Sequence, residues 1–146
     1  MKIFNVSIRL PGFIILALST LLLSGCVTKT NFLTSSTSPA ARGYVKVKQD
    51  DNQNYGIQIH VDYLAEVERL QPARQTYVVW LETKNEVVKN LGQLQSDTKS
   101  ISNNLKADFE TVSAFEPRRI FITAEMDGTT TYPDKAIILD SGKLKS

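Results

Sequence analysis

Scarcity narrows this chain before any motif does. Its 146 residues include one cysteine, one histidine and one tryptophan. A lone Cys26 cannot close an intrachain disulfide, nor supply the several thiolates of a cysteine zinc site. Stability must therefore come from an apolar core, which a single domain of about 100 residues can provide. His60, the only histidine, would have to serve any serine–histidine–aspartate triad, and no nucleophile-elbow motif accompanies it. An excess of one charge is missing too, with 17 lysines and arginines against 15 acids. No internal repeat is visible.

No apolar run reaches the length that spans a bilayer. The longest, Phe13 to Leu23, is about half to two-thirds of the roughly 20 residues required. It follows a short basic start at Lys2 and Arg9 and ends in Leu23-Ser24-Gly25-Cys26. That length suits the apolar region of a signal peptide, and the arrangement resembles a bacterial lipoprotein signal. The resemblance implies a diacylglyceryl group on the Cys26 sulfur, cleavage between Gly25 and Cys26, and acylation of the new amine. Residues 1–25 would then be removed. An uncleaved membrane anchor, suggested by Pro11-Gly12, is the competing reading, and both leave the remainder outside the cytosol. Two or more acyl chains anchor stably where one is marginal, so Cys26 is expected to be a tether and not a thiol catalyst. Val27 stands where an aspartate would signal inner-membrane retention in enteric-type sorting. The expected location is the outer membrane, facing the periplasm, in a source with two membranes.

Losing Lys2 and Arg9 leaves 15 basic against 15 acidic residues, so the mature side chains sum to zero. The sequence pI of 8.7 thus depends on the discarded segment, and a basic nucleic-acid footprint has no support. The remaining charges stand singly or in pairs such as Asp50-Asp51 and Arg118-Arg119, which reads as a solvated face. Residues 26–42, rich in Thr and Ser without a sustained hydrophobic period, read as lipidated Cys26 and a flexible tether spanning roughly 20 Å.

From Gly43 onward the apolar residues alternate as they do in strands. Val45 and Val47 alternate with Lys46 and Lys48, and Ile57, Ile59, Val61 and Tyr63 alternate with Gln58, His60 and Asp62. This places His60 on a solvent face. Tyr77 to Leu81 is apolar on both faces and reads as a central strand with Trp80 in the core. Val87 to Leu94, Ala107 to Val112, Arg119 to Met126 and Ala136 to Asp140 complete seven candidates. Pro39, Pro72, Pro117 and Pro133 fall outside these runs. The expectation is an all-β fold, an antiparallel immunoglobulin-like sandwich of seven to eight strands over residues 43–146. A helix over residues 84–113 competes, because Val87, Leu91, Leu94, Ile101, Leu105 and Val112 also fall near helical spacing. Gly92 and the Ser- and Asn-rich middle weaken it.

Four pieces carry a resemblance to the extracytoplasmic domain of anti-sigma-K type factors, a β-sandwich module. They are Tyr77-Val78-Val79-Trp80-Leu81, Leu91-Gly92-Gln93-Leu94, Ile122-Thr123-Ala124-Glu125 with Gly128 and Pro133, and Ile138-Leu139-Asp140-Ser141-Gly142. Met126 stands where the family usually has Pro, and Thr129 where a second Gly is common. The family's zinc-binding, sigma-binding region has no counterpart here, so binding of a sigma factor is not expected. The resemblance implies an envelope-side sandwich used for sensing or docking.

Candidate site residues are few. His60 and Asp62 share one strand face and could offer two metal ligands, fewer than the three or four that zinc needs. The run Asp127 to Asp134 could present oxygens to calcium, but its spacing is not that of an EF-hand loop. It reads first as a turn with Gly128 at positive φ. Tyr44, Tyr55 and Tyr132 are candidate exposed aromatics. The contact candidates are thus His60, Asp62, Asp127, Tyr132 and Asp134, with no catalytic residue, metal or cofactor assigned. A non-enzymatic envelope lipoprotein that binds a protein partner or serves structurally is the expected function. A small-ligand or ion sensor is the alternative.

Overall fold

Alternation of apolar and polar side chains sets the architecture of this computed structural model, which describes residues 27–96 and 106–145. Eight strands are present: β1 (Val27–Asn31), β2 (Arg42–Gln49), β3 (Tyr55–Asp62), β4 (Thr76–Thr83), β5 (Val88–Ser96), β6 (Lys106–Ser113), β7 (Pro117–Glu125) and β8 (Ile137–Asp140). All their pairings are antiparallel, in the order β1-β2-β3-β6-β5-β4-β7-β8. They form a β-sandwich of two four-stranded sheets, β1-β2-β3-β6 and β5-β4-β7-β8, and the last residues of β5 pair with β6 to join the two along one corner. The meander β4-β5-β6 with β7 returning beside β4 is a Greek key.

The seven strands expected from alternation are all present. The competing helix over 84–113 is replaced by β5 and β6 where the chain is described; residues 97–105 lie outside the described residues, as do residues 1–26, on which the expected signal and Cys26 fall. Among the described residues no helix is long and apolar enough to cross a membrane.

Two expectations need correction. The flexible tether over residues 26–42 is instead strand and packed loop from Val27 onward. Thr28 and Thr30 pair with Val47 and Val45 of β2, Phe32 packs on the core, and the Leu33 N–H donates to the Asp140 carbonyl at 2.8 Å. Ser35, Ser38 and Ala41 are buried. Threonine suits a half-buried edge strand through its β-branch, and its polarity made the segment look like linker. Tyr63, expected on the inner face with Val61, is exposed. Its φ of 57° turns the chain and sends Leu64 into the core instead.

Between the sheets lie Val45, Ile57, Ile59 and Val61 of the first and Tyr77, Val79, Leu81, Ile120 and Ile122 of the second. Trp80 is buried as expected, but on the opposite face of β4, in a second cluster with Val78 and Phe121. Gly92 has φ of 132° at a bulge where β5 turns toward the other sheet. Gly43 is needed for space: a Cβ there would lie 2.2 Å from the His60 carbonyl oxygen and 3.0 Å from the Val61 Cα. Both are backbone atoms of β3, so Gly43→Ala is expected to spread β2 from β3 and cost about 1–3 kcal/mol. Thermal unfolding checks this, with Tm falling by about 4–8 °C per kcal/mol.

The registers also sort the connections between the two ends of the sandwich. Val27, the turn 50–54, the turn 84–87 and the turn 114–116 lie at one end, where the chain enters. The longer connections, 32–41, 63–75 and 126–136, lie at the other.

Candidate functional site

Three antiparallel registers build a polar face on the outside of the first sheet. They align Asn31, Tyr44, His60 and Asp108 in one row and Lys29, Lys46, Gln58 and Glu110 in the next. The Tyr44 ring is covered by Lys29 Nζ at 3.9 Å from its centroid, with Lys46 Nζ at 5.3 Å and the His60 ring centroid at 5.6 Å. Ammonium groups over an aromatic face are attracted by its quadrupole. His60 Nδ1 meets Asp108 Oδ1 at 2.6 Å, and its Nε2 meets Asp62 Oδ2 at 3.3 Å. Lys106 Nζ lies 3.9 Å from the other Asp62 oxygen, and Gln58 donates to Glu110 at 3.1 Å. The face therefore runs from basic on β1 and β2 to acidic on β3 and β6. A shallow depression of about 460 Å³ opens on it, lined by Tyr44, Gln58, His60, Asp108 and Glu110 among others.

This geometry limits the chemistry available to His60. Its two carboxylate partners take opposite ring nitrogens, so they do not converge with it on one ion. Both are served at once only by the doubly protonated ring. Among the described residues no group of three potential ligands could hold a metal, and His60 hydrogen-bonds no hydroxyl.

The remaining candidates lie on the other sheet, in the connection 126–136. Asp127 Oδ1 accepts from the Thr129 N–H and hydroxyl, both at 2.8 Å, and these bonds hold its carboxyl below the ordinary range. Asp134 accepts from Arg74 at 2.8 Å and from the Ala136 N–H at 3.2 Å, with Arg74 the main cause of its lowered pKa. Asp127 thus stabilises its own turn, Asp134 ties this connection to Arg74 of the connection 63–75, and the two share no site. Tyr132 projects, 81 % exposed. Gly128, expected at positive φ, is not among the glycines that adopt it; its backbone instead lies against the Gln93 side chain.

This connection folds over the outer face of the second sheet. Trp80 Nε1 donates to the Thr123 hydroxyl at 2.7 Å, and that hydroxyl donates to Glu125. Glu125 also accepts the Asp134 N–H at 2.7 Å, while Asn90 donates to the Gly128 and Thr130 carbonyls. Among the described residues every buried side-chain polar atom has a partner.

Sequence reasoning put Asp108 with Glu110 on a polar strand face but missed its pairing with His60, which lies 48 residues away and is brought beside it only by the β3–β6 register. It also missed Arg119, read as one of a solvated pair. Its guanidinium forks onto both Asp140 oxygens at 2.9 and 2.6 Å, reaches Glu82 at 3.2 Å and lies over the Phe121 ring. Alternation around Phe121 was the only available signal, since it put Arg119 on the same outward face.

Fold and face together define a class, an all-β antiparallel sandwich with a mixed-charge aromatic surface. No family model matches the chain, and neither a curated protein nor a solved structure does.

Proposed function

We propose that this chain is a lipid-anchored protein of the bacterial cell envelope whose sandwich is a protein-interaction or structural module, working without catalysis or a cofactor. The observation that carries the interaction reading is the outer face of the first sheet. There Tyr44 stands between Lys29 and Lys46 on one side and the His60, Asp62 and Asp108 group on the other. Tyrosine combines large contact area with a polar tip, and flanking charges of both signs fix the register of a partner. A sensor for a small ligand, in keeping with the resemblance to anti-sigma factor domains, is the second reading, and the shallow depression beside Tyr44 favours it. The outer membrane, facing the periplasm, is the proposed location.

The test uses the full chain in cells. Labelled palmitate is expected to enter the wild type and not Cys26→Ala, and the wild type is expected to fractionate with membranes. A photo-cross-linker at Lys46 should yield one saturable adduct that Tyr44→Ala reduces at least about tenfold, the scale of 1.4 kcal/mol. Palmitate in both proteins would refute the anchor. Absence of any adduct would refute docking through this face and leave ligand screening as the next step.

A further inference from the structure

We infer that the chain-entry end of the sandwich rests on a lipid bilayer surface. This builds on the proposed lipidation of Cys26 and specifies how the domain sits on that anchor. The starting point is the absence of a spacer. Cys26 precedes the first residue of β1 directly, and neighbouring Cα atoms are about 3.8 Å apart. Acyl chains on Cys26 therefore hold Val27 at the level of the lipid headgroups, and the domain can move only by pivoting on that corner.

The same corner leaves apolar side chains uncovered. Val27, Lys48, Gly56 and Val112 form one row across the outer face of the first sheet. At about 4.8 Å per strand, Val112 sits roughly 14 Å from Val27 along that row. Val27 is 54 % exposed and Val112 68 %; Phe115 in the neighbouring turn is 48 % exposed and Val87 in the next turn 50 %. Among the described residues, half of the eight exposed large apolar side chains thus lie at the end where the chain enters.

Charge at this end is balanced. Glu116 pairs with Lys84 at 2.7 Å and Glu86 with Arg118 at 3.5 Å, while Asp50, which accepts the Asn52 and Asn54 N–H groups, and Asp51 supply the acids of the turn 50–54. Lys48 lies in the row between the two valines, and Lys89 Nζ lies 4.0 Å from the Phe115 ring centroid. Lysines beside exposed apolar groups let the apolar parts enter the interface while the ammonium groups meet lipid phosphates.

The experiment reconstitutes the full lipidated chain in vesicles of phosphatidylethanolamine and phosphatidylglycerol. With the native thiol consumed by lipid, a single introduced cysteine can carry a fluorophore, placed by Val112→Cys or Phe115→Cys at the entry end and by Tyr132→Cys on the far connection. Labels at 112 and 115 are expected to be quenched by headgroup nitroxide, and to be at least about threefold less accessible to aqueous iodide than the label at 132, as interfacial burial demands. Equal iodide access at all three positions, with the chain floating on vesicles and lipid mass on Cys26, overturns the docking geometry alone. A chain that neither floats nor carries lipid mass overturns the anchor and the geometry together. Protection that follows protein concentration in place of lipid overturns the inference in favour of a second copy of the chain.

Discussion

Trp80→Ala is expected to destabilise the protein by about 3–5 kcal/mol, the range for removing a large buried aromatic. Trp80 is fully buried, stacks near Phe121 with centroids 6.4 Å apart, and donates its indole N–H to Thr123. Because it lies on the outer face of β4, its loss should be felt where that face is covered. Hydrogen exchange is expected to rise first in the connection 126–136 and in Thr123 and Glu125, ahead of Val79 and Leu81 between the sheets. Trp80→Phe retains most of the apolar volume but removes the donor, and should cost less, about 1–2 kcal/mol. Denaturant titration measures both variants. Exchange spreading first through the inter-sheet residues would contradict the two-cluster description.

Arg119→Met is expected to cost about 2 kcal/mol at pH 7. Breaking a buried ion pair costs about 3–5 kcal/mol, but the Arg119, Glu82 and Asp140 side chains keep 28 %, 19 % and 25 % of their exposure, and solvent screening reduces the effect. Acid dependence gives the sharper signature. Burial pushes the Asp140 carboxyl up, but hydrogen bonds from Arg119 and the Gly142 N–H, with the Arg119 charge, outweigh it and hold the group below its ordinary value. The unfolded state then binds more protons as the pH falls through that range. The stabilisation is therefore present above the unfolded value near pH 4 and is lost as the pH falls through the folded one. With methionine at 119, burial dominates, the Asp140 carboxyl rises and the slope reverses. The difference between wild type and variant should accordingly narrow from pH 7 to pH 3 in urea titrations. A constant difference would mean that Arg119 acts through packing on Phe121.

Strands were legible wherever one face is buried, because the period of two shows directly in β2, β3 and β6. The outward placement of His60 follows from Ile57, Ile59 and Val61 alone. β1 was hidden because its inward positions are threonines, whose β-branch suits a strand while their polarity resembles a linker. Pairings between distant strands were illegible in principle: nothing local to Asp108 indicates that it faces His60. The second cluster was concealed for a related reason. An apolar run such as Tyr77 to Leu81 shows that both faces of β4 are covered, but not that the connection after β7 covers one of them.

Chain entry along β1 also bears on mechanics. The five paired residues of β1 lie antiparallel to β2, and ladder hydrogen bonds stand perpendicular to the strands. A pull applied through Val27 along the strand axis therefore loads these rungs together, in shear. The same pull directed sideways would open them one at a time. Resistance of the sandwich to tension thus depends on the direction of the force as well as on its size.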